Sequence, residues 1–250
     1  AMLDKYKHDG RVYFDGIIKG PMGKGVMPLM TFNFGCENVW FQNKQIDRKV
    51  DRLGFKGFYT NGAAHNLKTS ELHVLNFNAR PGTGVFKGNF VMKDFTDPQI
   101  IMQLYSELNL RFVGEFLGIK DLEQISGEIK LNMNFREMVD MRIPEESLAK
   151  LKEGVQSELT VKDLEFRIPG YHLPVRHMNM HAQIRQGRLQ LDSAAFRIGS
   201  SDILAKGAVS DVPALFHRQD KPVAVNFSAS SKRLQLGELY KFDSTHPVLS

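Results

Sequence analysis

The 250-residue chain holds a single cysteine, a single tryptophan and no apolar run near the roughly 18 to 20 residues that cross a bilayer as a helix. Cys36 alone excludes an internal disulfide and any cysteine-based metal cage, so cysteine usage gives no signal for a redox compartment. The start lacks the charged, apolar and small-residue series of a signal peptide. Because the chain opens abruptly at Ala1-Met2, the expectation is a piece of a longer protein whose anchor or export signal lies upstream. Charge of one sign is also scarce: 33 Lys and Arg against 28 Asp and Glu leave a net +5. These residues are scattered singly along the chain, which fits a solvated face and weak attraction to anionic headgroups, with no nucleic-acid footprint.

Catalytic constellations are missing as well. The glycines of GPMGKG (Gly20 to Gly25) lack the Lys-Ser/Thr of a phosphate loop and are followed by Val26-Met27-Pro28, so they read as a turn. His177 and His181 have the spacing of two metal ligands on a helix, but Met178, Met180, Ala182 and Ile184 alternate as on a strand. At roughly 3.3 Å per residue that puts the imidazoles about 13 Å apart, too far to share an ion. Glu145-Glu146 reads as a helix start and Asp94 to Asp97 as a turn, not as an acid and base flanking a scissile bond. No Gly-x-Ser-x-Gly elbow occurs, and Gly199 to Asp202 reads as a hairpin turn. The expectation is a protein that is not an enzyme and uses no metal or cofactor.

What the chain has is alternation. With 42% hydrophobic and 24% charged residues it has the composition of an ordinary folded protein. Ile129, Leu131, Met133 and Phe135 fall on one side and Lys130, Asn132 and Asn134 on the other. Val223, Val225, Phe227 and Ala229 repeat the pattern against Ala224, Asn226 and Ser228. The 18 Phe and 6 Tyr sit at apolar positions of such runs, where packing, not base stacking, is the default. Helix signals are confined to Pro144 to Glu153 and to a turn or two after Arg111, where Phe112, Val113, Phe116 and Leu117 offer an apolar face.

The second half repeats the first. Val39, Phe41, Val50, Leu53, Phe55, Gly57, Tyr59 and Gly62 find counterparts in Leu164, Phe166, Val175, Met178, Met180, Ala182, Ile184 and Gly187, each as far along the chain as Leu164 is from Val39. Gly10 opening RVYF resembles Gly127 opening EIKLNMNF, and LNL with GEFL resembles LQL with GELY. Gln99 to Leu108 carries good helix formers, yet its counterpart after Pro222 alternates as a strand, so it too is expected to be a strand. The fold expected is all-β with one or two short helices: an elongated, curved antiparallel sheet built from two tandem units, residues 1–122 and 123–250, within one continuous sheet. About a dozen strands at roughly 4.8 Å spacing extend on the order of 55 Å, too wide to stay flat. Curling gives either a closed barrel or an open groove, and tandem units favour an elongated stack in which edge strands can pair onward.

The run GVQSELTVKDLEFRIPG, VRHMNMHAQI and GRLQLDSAAFRIGSSDILAKGAVSD, with FKGFYTNG and SELHVLNF in the first half, resembles the β-repeat portion of AsmA-like proteins of the Gram-negative envelope, especially of Bacteroidetes-type bacteria. The resemblance implies a periplasmic module of a larger inner-membrane-anchored protein, binding or conducting phospholipid along an apolar groove and supporting outer-membrane homeostasis. It supplies no catalytic residues. The groove lining expected from the duplicated positions is Phe41, Leu53, Phe55 and Tyr59 with Phe166, Met178, Met180 and Ile184. Partners implied are phospholipid or another acyl-chain ligand and, through flanking segments, the inner and outer membranes. The alternatives are a self-packed β core and a structural or adaptor domain that binds envelope proteins through its sheet edges.

Overall fold

The computed structural model describes residues 6–23, 25–44, 48–117, 123–138, 155–211 and 223–239. The first six strands are β1 (Tyr6–Lys19), β2 (Leu29–Asn43), β3 (Arg48–Thr60), β4 (Glu71–Pro81), β5 (Val85–Lys93) and β6 (Gln99–Asn109). The next six are β7 (Glu123–Met138), β8 (Val155–Arg167), β9 (Val175–Arg185), β10 (Arg188–Ile198), β11 (Ser201–Val209) and β12 (Val225–Ser230). All pair antiparallel in chain order as one open sheet, with β1 and β12 as its edges. Helix α1 (Leu110–Leu117) follows β6, and α2 (Leu236–Leu239) follows β12. The segment from Gln99 is therefore a strand and the one after Arg111 a helix, as expected. The expected helix at Pro144 to Glu153 lies outside the described residues.

Register turns the alternation into two chemically distinct faces, because cross-strand partners share a face. One row runs Phe14, Phe34, Gly57, Val74, Phe90 and Met102 across β1 to β6. Another runs Leu131, Leu159, Ala182, Leu191, Gly207 and Phe227 across β7 to β12. The opposite face carries rows such as Asn132, Glu158, Gln183, Gln190, Ala208 and Asn226. Ion pairs lie on that polar face, among them Lys130 to Glu107 at 3.0 Å and Lys93 to Glu71 at 3.4 Å.

Irregularities recur at matching places. The β1–β2 ladder shifts around Gly10 and the β7–β8 ladder around Gly127. The β2–β3 ladder shifts on both sides of Val39, and β8–β9 on both sides of Leu164. Left-handed backbone supports these bulges at Asn38 and Arg52 in the first case (φ 52 and 53) and at Asp163 and His177 in the second (φ 47 and 51). Asp163 follows Asn38, and His177 follows Arg52, by the same distance that separates Leu164 from Val39. In the sequence pattern Gly10 and Gly127 open the runs RVYF and EIKLNMNF. Both lie inside long strands, as bulge residues whose φ of 134 and 114 only glycine adopts readily.

No second sheet covers the apolar face among the described residues, which removes the closed sandwich or barrel as an architecture. Among the described residues, the buried apolar side chains of the sheet are Cys36, Val39, Val161, Val175, Ala182, Ala194 and Val209. These are small side chains shielded by larger ones beside them. Burial pushes the Cys36 thiol pKa up, in keeping with an inert packing role.

Helix α1 packs at one rim against β1, β3 and β7. Asn109 Oδ1 accepts from the Phe112 amide to start it, and Phe112 is buried beside Gly82. Within α1, Gly114 lies against Ile125 of β7, while the Phe116 ring is 5.5 Å from that of Tyr6 in β1 and Glu115 is ion-paired with Arg48 of β3. In a flat sheet β1 and β7 would be separated by about 29 Å, whereas an eight-residue helix is about 12 Å long. One short helix can meet all three strands because the sheet curls around its apolar face.

Candidate functional site

The curled apolar face runs across all twelve described strands, and the register explains how it arises. The bulges at Asn38, Arg52, Asp163 and His177 each add a residue where the chain would otherwise turn its apolar set outward, so the phase is restored on the far side. Phe41, Leu53, Phe55 and Tyr59 consequently share this face, as do Phe166, Met178, Met180 and Ile184. All eight are half-buried: each side chain packs sideways on its neighbours and leaves its outer surface uncovered.

Two aromatic ladders cross the first half. Phe14 meets Phe32 at 5.3 Å, Phe32 stacks on Tyr59 at 6.0 Å, and Tyr59 meets Phe95 at 6.0 Å. Beside it Phe34, Phe55, Phe77 and Phe86 follow in turn at 6.2, 6.4 and 5.4 Å. Such cross-strand pairs contribute about 0.2 to 1 kcal/mol each, which helps a single-layer sheet keep its shape. Glycines make room for the rings: a Cβ on Gly57 would lie 2.3 Å from Phe34, and one on Gly16 would lie 2.2 Å from Phe32. Toward the edges the face is open, with Val12 74% and Phe14 70% exposed.

The two rims differ. On one, α1 crosses the first half, and α2 is held at the second by Glu238, whose carboxylate accepts from Ser200 N at 2.8 Å and Ser200 Oγ at 2.9 Å. Those bonds hold the Glu238 pKa below the usual carboxylate range. On the other rim, fully buried Asn61 links the β1–β2 and β3–β4 connections: its Oδ1 accepts from Met30 N at 2.8 Å and its Nδ2 donates to Pro28 O at 2.7 Å. Asp94 closes the next turn, its Oδ1 accepting from the amides of Thr96 and Asp97, in agreement with the turn expected there.

The polar face contains two features that sequence spacing alone did not bring together. Asp163, Glu165 and His177 converge, with His177 Nδ1 2.8 Å from Asp163 Oδ1 and 3.5 Å from Glu165 Oε1. Asp163 and His177 are exposed and Glu165 is half-buried. His181 has partners of its own, Glu158 at 2.9 Å and Asp192 at 2.8 Å, so the two histidines do not converge. Asn76, Asn78, Asn89, Gln103, Asn132 and Asn134 surround a shallow depression of about 370 Å³ over β4 to β7. Both groupings depend on cross-strand register, and their only trace in the sequence is a set of polar residues at every second position.

Glu145 and Glu146 lie outside the described residues. Comparison with protein-family models, with curated proteins and with solved structures finds no match for this chain, so the reading of its function rests on the apolar face itself.

Proposed function

We propose that this chain is a non-enzymatic, AsmA-like β-repeat module of the cell envelope that binds or conducts phospholipid along its curled apolar face. The observation carrying this reading is the apolar row shared by the strands from β1 to β12, which no second sheet covers among the described residues, backed by a polar opposite face. An acyl chain needs continuous apolar surface that water does not reach well. Each buried methylene is worth about 0.8 kcal/mol, so ten of them supply roughly 8 kcal/mol before the cost of ordering the chain and immobilising the lipid. That suffices for retention without a specific polar contact. Half-burial of Phe41, Leu53, Phe55, Tyr59, Phe166, Met178, Met180 and Ile184 suits such a lining, because their outer surfaces are available.

In this reading β1 to β6 and β7 to β12 are two copies of one unit, an inference supported by the matched bulges around Gly10 and Gly127 and around Val39 and Leu164. The module then works in the periplasm as part of a larger inner-membrane-anchored protein, supporting outer-membrane homeostasis, with its mild positive charge favouring anionic headgroups. A second reading, a structural or adaptor domain binding envelope proteins, is favoured by the edges of β1 and β12, which have no strand partner on their outer side among the described residues.

The test is purification without detergent from a Gram-negative host, followed by mass spectrometry of co-purifying lipid against an empty-host control. Stoichiometric phospholipid is expected. No lipid above control would overturn the lipid reading and favour the adaptor.

A further inference from the structure

The two edges of the sheet are the outward-facing counterparts of a junction that the molecule already contains. In its middle, β6 pairs with β7, bringing Met102 opposite Phe135 and Leu104 opposite Met133. Phe227 and Ala229 of β12 follow Met102 and Leu104 by the same distance that Leu164 follows Val39. Ile18 and Gly16 of β1 precede Phe135 and Met133 by the distance that Gly10 precedes Gly127. The junction's counterparts thus stand at opposite edges of the sheet, each without a strand partner on its outer side among the described residues.

We infer that the β12 edge of one copy of this chain pairs antiparallel with the β1 edge of a second copy, in the register of the β6–β7 junction. Phe227 then lies opposite Ile18 and Ala229 opposite Gly16, which continues the apolar face from copy to copy. On the polar face the same register sets Asn226 opposite Lys19 and Ser230 opposite Asp15, with no like charges apposed.

Three observations carry this pairing. The edges expose apolar side chains, Phe227 at 58% and Ile18 at 58%, although β1 is 14 residues long and contains no proline to guard it. Helix α1 leaves room for the next strand at the internal junction, so a helix following β12 in the same way is no obstacle. Most directly, Gly114 of α1 is filled against by β7, where a Cβ would meet Ile125 Cγ2 at 2.8 Å, whereas Gly237, its counterpart in the GE pair of α2, has nothing within 4 Å among the described residues. The surface beside Gly237 and Leu236, the latter 54% exposed, is where β7's counterpart would rest. The contact is heterologous, one edge meeting a different edge, so it extends into linear oligomers instead of closing as a symmetric dimer.

The inference does not rest on lipid binding, and a lipid-free protein can pass its test. Sedimentation of the full chain across a wide concentration range should show mass rising with concentration, and Phe227→Asp should weaken association at least tenfold. For register, Phe227→Cys and Ile18→Cys are placed in separate copies, each also carrying Cys36→Ala, and mixed under mild oxidation. Cross-strand partners have Cα atoms about 4.5 to 5.5 Å apart, within reach of a disulfide. A mixed disulfide is expected for Phe227→Cys with Ile18→Cys and not with Ile17→Cys, which faces the other side of the sheet. Monomer at every concentration, or equal cross-linking through Ile17→Cys, would overturn the proposal.

Discussion

Gly127 rests directly on Leu164: a Cβ on the glycine would lie 2.7 Å from Leu164 Cα, with φ at 114. Gly10 meets Val39 in the same way, its Cβ position 2.5 Å from Val39 Cα. Side chains cannot enter either bulge without moving backbone. Gly127→Ala and Gly10→Ala should each cost about 1 to 3 kcal/mol in urea unfolding. Gly23→Ala, with nothing within 4 Å of its Cβ position, should stay within about 0.5 kcal/mol of the parent. Equal effects at all three sites would refute the assignment of the first two as bulges.

Asn61 is expected to be the costliest polar substitution on its rim. Asn61→Ala would leave the Met30 amide and the Pro28 carbonyl without their side-chain partner in a fully buried setting, a loss of about 1 to 3 kcal/mol for each group that water cannot reach. Asn61→Asp keeps the acceptor for Met30 but aims an oxygen at the Pro28 carbonyl, so it should not rescue stability at neutral pH. Chemical denaturation of the two variants checks both statements.

His181 should make stability depend on pH. Its hydrogen bond to Glu158 is the main reason its pKa is raised; burial opposes the rise, and Asp192 adds to it. A group whose folded pKa lies above its unfolded value gives its full contribution below the ordinary histidine pKa of about 6.5 and loses it as pH rises through the folded value. Melting curves should therefore show falling stability above about pH 6.5, and His181→Gln should flatten that segment. An unchanged slope in the variant would rule His181 out as its source.

Phe55→Asp and Met180→Asp separate a binding surface from a packed core. Each places a carboxylate on a half-buried position of the apolar face, and each should abolish lipid retention while circular dichroism keeps its β signature. Loss of the fold in both variants would show these side chains to be core.

The strands were legible because period-two alternation survives in nearly every one of them, as in Ile129, Leu131 and Met133. The strand nature of Gln99–Asn109, whose residues suit a helix equally well, was legible only through its counterpart after Pro222. The bulges were hidden in plain view. The step from Val50 to Leu53 and from Val175 to Met178 breaks the alternation by one residue, yet a phase break reads equally well as a turn until the partner strand is known. For the same reason the eight proposed lining residues could be found from apolar phase, whereas the convergence of Asp163, Glu165 and His177 could not. That cluster is made by two strands meeting at paired bulges, and no spacing along one strand encodes it.

Because every strand pairs with the one immediately before it, each has its partner waiting as it leaves the ribosome. At about 5 to 20 residues per second, synthesis of one strand and its turn takes on the order of a second, ample time for a hairpin to close. No segment needs to wait for a distant one, and the growing edge at any moment is the newest strand. The nascent chain can thus lengthen its sheet as it is made, and a gain or loss of strands at the end would change the reach of the protein without requiring the rest to be folded anew.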